Sequence, residues 1–129
     1  MSFAYLSKQT NNLAITFKEK HHLDNRIKES ETIINKYPDR VPVIVEKHLN
    51  STIADIDKNK FLVPGNLTLG QFAYVIRRRM KLPPEQGIFL FIRKQIIPPH
   101  FMLMSSLYKE YKDDDGFLYI TYTNENTFG

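Results

Sequence analysis

The stretch FLVPGNLTLGQFAYVIRRRMKLPP (61–84) holds a strand, a break and a helix in succession, and this order decides the fold. Phe61–Val63 is apolar and rich in strand-forming residues, and Pro64-Gly65 ends it. Thr68, followed three residues later by Gln71, has the form of a capping box and predicts a helix start. That helix carries one apolar stripe up to the double proline, made of Leu69, Phe72, Ala73, Ile76 and Met80.

The spacing of apolar residues predicts the elements on either side of this stretch. Val41–His48 alternates between valines on one face and Pro42, Ile44 and Glu46 on the other, which predicts a strand. Before it, His22–Tyr37 predicts a helix whose apolar stripe is Leu23, Ile27, Ile34 and Tyr37. Downstream, the patterns predict a strand covered on both faces at Ile88–Ile92, a short helix at Leu103–Tyr111 and a last strand at Phe117–Thr123.

The predicted order is helix, strand, strand, helix, strand, helix, strand. In a chain of 129 residues this order favours one domain of the α+β class, with a mixed four-stranded sheet cradling a helix. The β-grasp of ubiquitin has the same order, and here helical material is added in front. Fold alone does not give function, so the site must be argued separately.

Composition and charge exclude several classes of protein. The chain has no cysteine, which excludes disulfides and a cysteine nucleophile, and its longest apolar run is five residues against the about 20 of a membrane helix. Its net charge is +4, with basic residues concentrated in 76–95 and acidic residues in 109–125. A basic surface beside an acidic end steers charged partners, but the same pattern is also typical of solvated faces. The start of the chain lacks a signal peptide, which favours the cytoplasm.

No pattern in the sequence predicts a catalytic residue, a metal site or a cofactor. The four histidines lack metal-ligand spacing, and the motifs HExxH and GxSxG are absent. Asp113–Asp115 stands beside Gly116 and is interpreted as a solvated turn. Arg77–Arg79 would fan across about 200° of a helix, so these residues cannot form one stripe, and no RNA-recognition motif accompanies them. Nucleic acid is therefore not an expected partner.

Two features point to binding and conjugation. Pro42 and Ile44 lie opposite the valines, next to Phe61–Val63 and among lysines, an arrangement that suits an extended acidic peptide added at a sheet edge. Periodicity alone leaves open that Phe61–Val63 is entirely core. The last residue is Gly129, whose carboxyl has no Cβ to obstruct attack. A chain ends in glycine by chance about 7% of the time, so the glycine indicates a conjugated modifier only together with the β-grasp order.

Three segments resemble the autophagy ubiquitin-like modifiers, the family that includes GABARAP. They are RVPVIVEK (40–47), DIDKNKFLVPGNLTLGQFAYVIRRRMKLPPE (55–85) and LMSSLYKEYKDDDGFLYITYTNENTFG (103–129), and the similarity covers about residues 13–129. The resemblance implies that Gly129, presented with Phe128 on a tail, is activated as a thioester and joined to phosphatidylethanolamine. Activating and conjugating enzymes and a processing cysteine protease would be partners, and this chain would be their substrate rather than an enzyme.

The resemblance also implies a groove for peptides of the form Trp/Phe/Tyr-x-x-Leu/Ile/Val from receptors and adaptors. An aromatic pocket, an aliphatic pocket and a cationic rim would form this groove. The aromatic pocket would use Glu29, Ile33, Pro42, Ile44, Lys60, Leu62 and Phe117. The aliphatic pocket would use Phe61, Val63, Pro64, Leu67, Phe72 and Val75, and Arg40, Lys58 and Arg79 would contact acidic residues of the peptide.

The expected organisation is a variable extension at 1–12, a ubiquitin-like domain with N-terminal helices at 13–123 and a flexible conjugation tail at 124–129. The extension, the basic turn at 93–97 and Gly65 depart from the family pattern and would alter partner preference. The expected protein is cytoplasmic and monomeric when soluble, and lies on the autophagosome membrane when lipidated. The alternative is an unlipidated peptide-binding adaptor in vesicle trafficking.

Overall fold

The computed structural model describes residues 15–93 and 96–124. Predictions for the extension 1–12, for Phe128 and Gly129, and for part of the basic turn at 93–97 lie outside these residues. Asn124 is the one residue of the predicted tail inside them.

The described chain folds into five helical or strand elements before residue 81 and three after it. The first five are α1 (Phe17–Lys20), α2 (Leu23–Lys36), β1 (Arg40–Lys47), β2 (Lys60–Pro64) and α3 (Leu69–Met80). The last three are β3 (Phe89–Phe91), α4 (Met104–Tyr111) and β4 (Leu118–Thr123). The predicted order is confirmed, with α1 as an additional short helix.

The four strands form one mixed sheet in the order β2-β1-β4-β3. β1 pairs antiparallel with β2 and parallel with β4, and β3 pairs antiparallel with β4. The predicted α+β class with a four-stranded mixed sheet is therefore confirmed.

The two faces of the sheet are covered by different helices. Val41, Val43 and Val45 of β1 lie in the main core together with the buried stripe of α3. On the other face, Ile44 forms a smaller core with Phe17 and Phe117, against which residues of α2 and β4 pack. The predicted alternation of β1 is thus confirmed, because its odd and even residues enter separate cores.

Helix α3 begins and ends as its sequence predicts. The Gln71 amide donates to Thr68 Oγ1 at 3.1 Å and the Thr68 amide donates to Gln71 Oε1 at 2.8 Å, which completes the capping box. Lys81 closes the helix in the left-handed region at φ 56°. Arg77 then donates to the carbonyl of Gln86 at 2.5 Å and holds the turn that follows.

Two predictions about packing were wrong in part. Leu23 and Tyr37 of the predicted α2 stripe are 48% and 37% exposed, whereas the polar Ser30 is only 1% exposed. The strand predicted at Ile88–Ile92 is limited to β3, and Phe89 is 37% exposed rather than covered. β3 ends the strand order, so among the described residues its first residue has a neighbouring strand on one side only.

Candidate functional site

The candidate site lies at the β2 edge of the sheet. β1 pairs with one side of β2, with Pro42 opposite Leu62 and Ile44 opposite Lys60. Among the described residues no strand pairs with the other side of β2. Its main-chain N–H and C=O groups on that side can therefore receive an added strand.

The residues predicted for the aromatic pocket come together on the face of the sheet covered by α2. Leu62 and Lys60 share this face with Pro42 and Ile44 because cross-strand partners point to the same side. Ile44 and Phe117 are fully buried, and Ile33 of α2 packs on them. Ile44 therefore lies on the predicted face, opposite the valines. Its side chain does not point to solvent there, because α1 and α2 cover it.

A salt bridge lies between α2 and β2 at this pocket. Lys60 Nζ pairs with Glu29 Oε2, and each side chain is 35% exposed. The same ammonium group lies 5.5 Å from the ring centroid of Phe17. Lys60 thus connects β2 to both N-terminal helices, above the buried pair Ile44 and Phe117.

Most of the residues predicted for the aliphatic pocket lie on the opposite face, along α3, but Pro64 shares the face of Leu62. Phe61, Val63 and Phe72 are buried in the main core, and the rings of Phe61 and Phe72 meet edge to face at 5.5 Å. Of the alternatives left open by periodicity, Phe61 and Val63 are core residues, whereas Leu62 belongs to the other face. The residues of this set that remain accessible are Pro64, Leu67 and Val75.

The predicted cationic rim borders β2, and its members have separate partners. Arg40 Nη1 donates to the carbonyl of Leu62 at 3.3 Å, and Lys58 Nζ lies 5.3 Å from the Phe61 ring centroid. Arg79 Nε donates to Asp57 Oδ1 at 2.8 Å. Arg78 instead lies over the Tyr74 ring, so the three consecutive arginines point to three different places, as their helical spacing predicts.

Comparison with known proteins identifies the family. A protein-family model described as "Autophagy protein Atg8 ubiquitin like" matches residues 25–129. Autophagy-related protein 8 of Coccidioides immitis is 59% identical over 113 residues, which cover 88% of this chain and 96% of that protein. This chain belongs to the Atg8 family. The resemblance inferred from the sequence is confirmed.

Further comparisons agree with membership of the Atg8 family. Autophagy-related protein 8 of Aspergillus niger is 58% identical over 113 residues, covering 88% of this chain and 95% of that protein. The crystal structure of Trypanosoma brucei ATG8 superimposes with a TM-score of 0.81 at 40% identity, covering 89% of this chain and 98% of that chain. Membership supports a role in autophagy as a ubiquitin-like protein rather than as an enzyme.

The Atg8-family fold of this chain also contains a buried polar network that the sequence did not predict. Asp115 was interpreted as part of a solvated turn, but its side chain is fully buried and pairs with Arg26 of α2 at 2.6 Å. The solvated interpretation is therefore wrong for Asp115, because a charged partner 89 residues away in sequence replaces water. The local signal that indicates this role is the Asx turn in which Asp115 Oδ1 accepts from the Phe117 amide at 2.8 Å.

Tyr119 completes this network. Its hydroxyl donates to Asp115 Oδ2 at 2.5 Å, and burial together with this hydrogen bond raises the pKa of the Tyr119 hydroxyl. Tyr119 therefore remains protonated and acts as a hydrogen-bond donor throughout the physiological pH range.

Neither a metal-ligand cluster nor a membrane-spanning helix is present among the described residues. Within 15–93 and 96–124, no group of three or more histidine, aspartate or glutamate side chains could hold a metal ion. In the same part of the chain, no helix has the length and apolar character needed to cross a bilayer.

Proposed function

We propose that this chain is a ubiquitin-like modifier that is joined through Gly129 to phosphatidylethanolamine and that recruits receptors and adaptors through a peptide groove at the β2 edge. The observation that carries the proposal is the free edge of β2 with apolar side chains on both faces of the sheet, in a chain of the Atg8 family. Activating and conjugating enzymes and a processing protease would act on the tail. The conjugated protein would lie on the autophagosome membrane.

The alternation of β2 explains why two anchors separated by two residues suit this edge. Leu62 faces the α2 side of the sheet, whereas Phe61 and Val63 face the α3 side. In a peptide strand added beside β2, residues i and i+3 point to opposite faces and lie about 10 Å apart along the strand. An aromatic residue at i can therefore enter the α2 side while an aliphatic residue at i+3 enters the α3 side.

Binding of an aromatic side chain requires a local rearrangement. Ile44 and Phe117 are fully buried, with Phe17 and Ile33 packed on them. These covering side chains must move, and Lys60 with them away from Glu29, before a ring can enter. Such a partly exposed ion pair contributes only ~0–1 kcal/mol, so its separation costs little. The released Lys60 ammonium would join Arg40 and Lys58 in contacting acidic residues of the peptide.

Calorimetric titration of a Trp-x-x-Leu peptide with an acidic flank tests the groove. Leu62→Ala and Val75→Ala each remove apolar contact area on one face, so each should weaken binding by about 1–3 kcal/mol, the size expected of an interface anchor. Phe61→Ala should do the same, but Phe61 is a core residue, so its variant must first be shown to fold. Arg40→Ala should have a smaller effect that fades at high salt, since an exposed charge pair contributes ~0–1 kcal/mol.

Leu49→Ala is the matched control for these variants. Leu49 is 77% exposed and belongs to neither pocket, so its loss should leave peptide affinity unchanged. Wild-type affinity in both the Leu62 and the Val75 variant would contradict a groove at the β2 edge.

A further inference from the structure

Helix α2 is joined to the turn before β4 by two contacts that are one helical turn apart. Arg26 Nη1 donates to Asp115 Oδ2 at 2.6 Å, and the two side chains are 11% and 0% exposed. Four residues later, Ser30 Oγ donates to the main-chain carbonyl of Asp115 at 2.5 Å. Both residues of α2 therefore bond to the same residue of the turn, which fixes the helix along its axis and about it.

The same turn positions the floor of the aromatic pocket. Asp115 Oδ1 accepts from the Phe117 amide at 2.8 Å, and Phe117 is fully buried against Ile44. One carboxylate thus holds α2 with one oxygen and the main chain of Phe117 with the other. Its position determines how far α2 lies from Phe117.

The residues of α2 that contact the turn share a helix face with those that line the pocket. Arg26, Ser30 and Ile33 follow i, i+4, i+7 spacing, and Glu29 is three residues after Arg26. A rotation or slide of α2 that broke the Arg26–Asp115 pair would therefore also move Ile33 from Phe117 and Glu29 from Lys60.

We propose that the buried Arg26–Asp115 pair is the positioning element of the aromatic pocket, because it fixes where α2 lies relative to Phe117. This inference rests on the proposed peptide groove and names residues that set the selectivity of one of its two pockets. Arg26 and Asp115 are positioning residues because they act through Ile33, Glu29 and Phe117. The aliphatic pocket lies on the opposite face of the sheet and does not depend on this pair.

The test measures the preference of each pocket separately. Wild type, Arg26→Ala, Arg26→Lys and Asp115→Asn are titrated with Trp-x-x-Leu, Ala-x-x-Leu and Trp-x-x-Ala peptides. In the Arg26→Ala and Asp115→Asn variants, the preference for Trp over Ala at the first anchor should fall at least fivefold. The preference for Leu over Ala at the second anchor should stay within twofold of wild type. Arg26→Lys keeps the positive charge but loses the planar guanidinium group, so its loss of Trp preference should be intermediate.

A destabilised control separates positioning from general stability. Leu107→Ala creates a cavity under α4, in the main core and outside both predicted pockets, and should lower stability without changing either preference. An equal loss at both anchors in the Arg26 and Asp115 variants would overturn the inference. An unchanged Trp preference in the folded variants would overturn it as well.

Methyl NMR of the peptide-free protein gives a second readout that a purely structural role would not produce. In Arg26→Lys, the methyl signals of Ile33 and Ile44 should shift while those of Ile76, in the main core, should not. Unmoved Ile33 and Ile44 signals would overturn the inference even if α2 were less stable. A wild-type chain that bound none of the peptides would instead overturn the proposed groove, and this NMR result would still show whether the pair positions α2.

Discussion

Ser30 and Gly116 allow α2 to lie close to the turn before β4 because neither residue has a bulky side chain. Gly116 has φ +92°, a region that side chains rarely adopt. A Cβ at Gly116 would lie 2.3 Å from Ser30 Oγ, which is closer than any real contact. The position of the Ser30 hydroxyl therefore requires a glycine at position 116, and the hydrogen bond from Ser30 to Asp115 depends on both residues.

Gly116→Ala should lower the free energy of unfolding by about 1–3 kcal/mol, since it combines a strained backbone with a steric clash. Urea denaturation of the wild type and the variant measures this difference. Gly87→Ala is the matched control, because a Cβ there would meet no atom within 4 Å. Equal midpoints for the two variants would show that the turn before β4 relaxes freely around a new side chain.

At the scale of the elements, local patterns predicted the strands and helices, but contacts between distant residues decided how the N-terminal helices pack. The capping box predicted the start of α3, and alternation predicted both faces of β1. The stripe predicted for α2 placed Leu23 inside and overlooked Ser30, because the burial of Ser30 depends on Gly116, 86 positions later.

The candidate site shows the same division between local and distant information. Alternation identified the face of Ile44, and the family resemblance added Leu62 and the other lining residues. Neither could show that α1 and α2 bury Ile44 or that Lys60 pairs with Glu29, since both facts depend on how separate elements pack. The burial of Asp115 was missed for the same reason, because Arg26 lies far away in sequence.

Helix α1 is attached to the turn before β4 by a contact that should respond to acid. Lys18 Nζ donates to Asp113 Oδ1 at 2.6 Å. Burial, the largest single cause, raises the pKa of Asp113. The hydrogen bonds from Lys18 and the Asp115 amide and the charges of Lys18 and Arg26 together outweigh burial, so the pKa lies below its ordinary value of 3.8. A lowered folded-state pKa means that the stabilisation is complete above the unfolded value and is lost as pH falls through the folded value.

Asp113→Asn should therefore be less stable than wild type near pH 6, and the difference should shrink once the pH falls below the ordinary value of 3.8. Chemical denaturation of both proteins at several pH values between about 6 and 2 measures this convergence. Asp114→Asn, in the same turn and exposed, is the matched control and should follow wild type more closely. A constant difference between Asp113→Asn and wild type across this range would contradict a role for the ionised Asp113 in holding α1.

At the scale of the whole molecule, the groove and the exit of the C-terminal chain lie at opposite ends of β1. The pair Pro42–Leu62 marks the groove, whereas Lys47, at the far end of β1, pairs with Tyr122 just before the chain leaves β4. Five residues of strand separate these points by about 17 Å. At the exit, Ser51 Oγ lies 3.0 Å from Asn124 Oδ1. The proposed peptide binding and conjugation would therefore use separate parts of one molecule.

This separation predicts that deleting Gly129 abolishes membrane attachment while folding and peptide affinity stay unchanged. The described contacts of the two hydrophobic cores and of the β2 edge join residues between Phe17 and Tyr122, and the deletion leaves all of these residues in place. Flotation with phosphatidylethanolamine liposomes, after incubation with activating and conjugating enzymes, reports attachment. Thermal melting and peptide titration report the other two properties.

Leu62→Ala is the reciprocal control, which should float with the liposomes but bind peptide weakly. A deleted protein that still floated would exclude Gly129 as the attachment site, and a wild-type protein that bound peptide but never floated would favour the unlipidated adaptor.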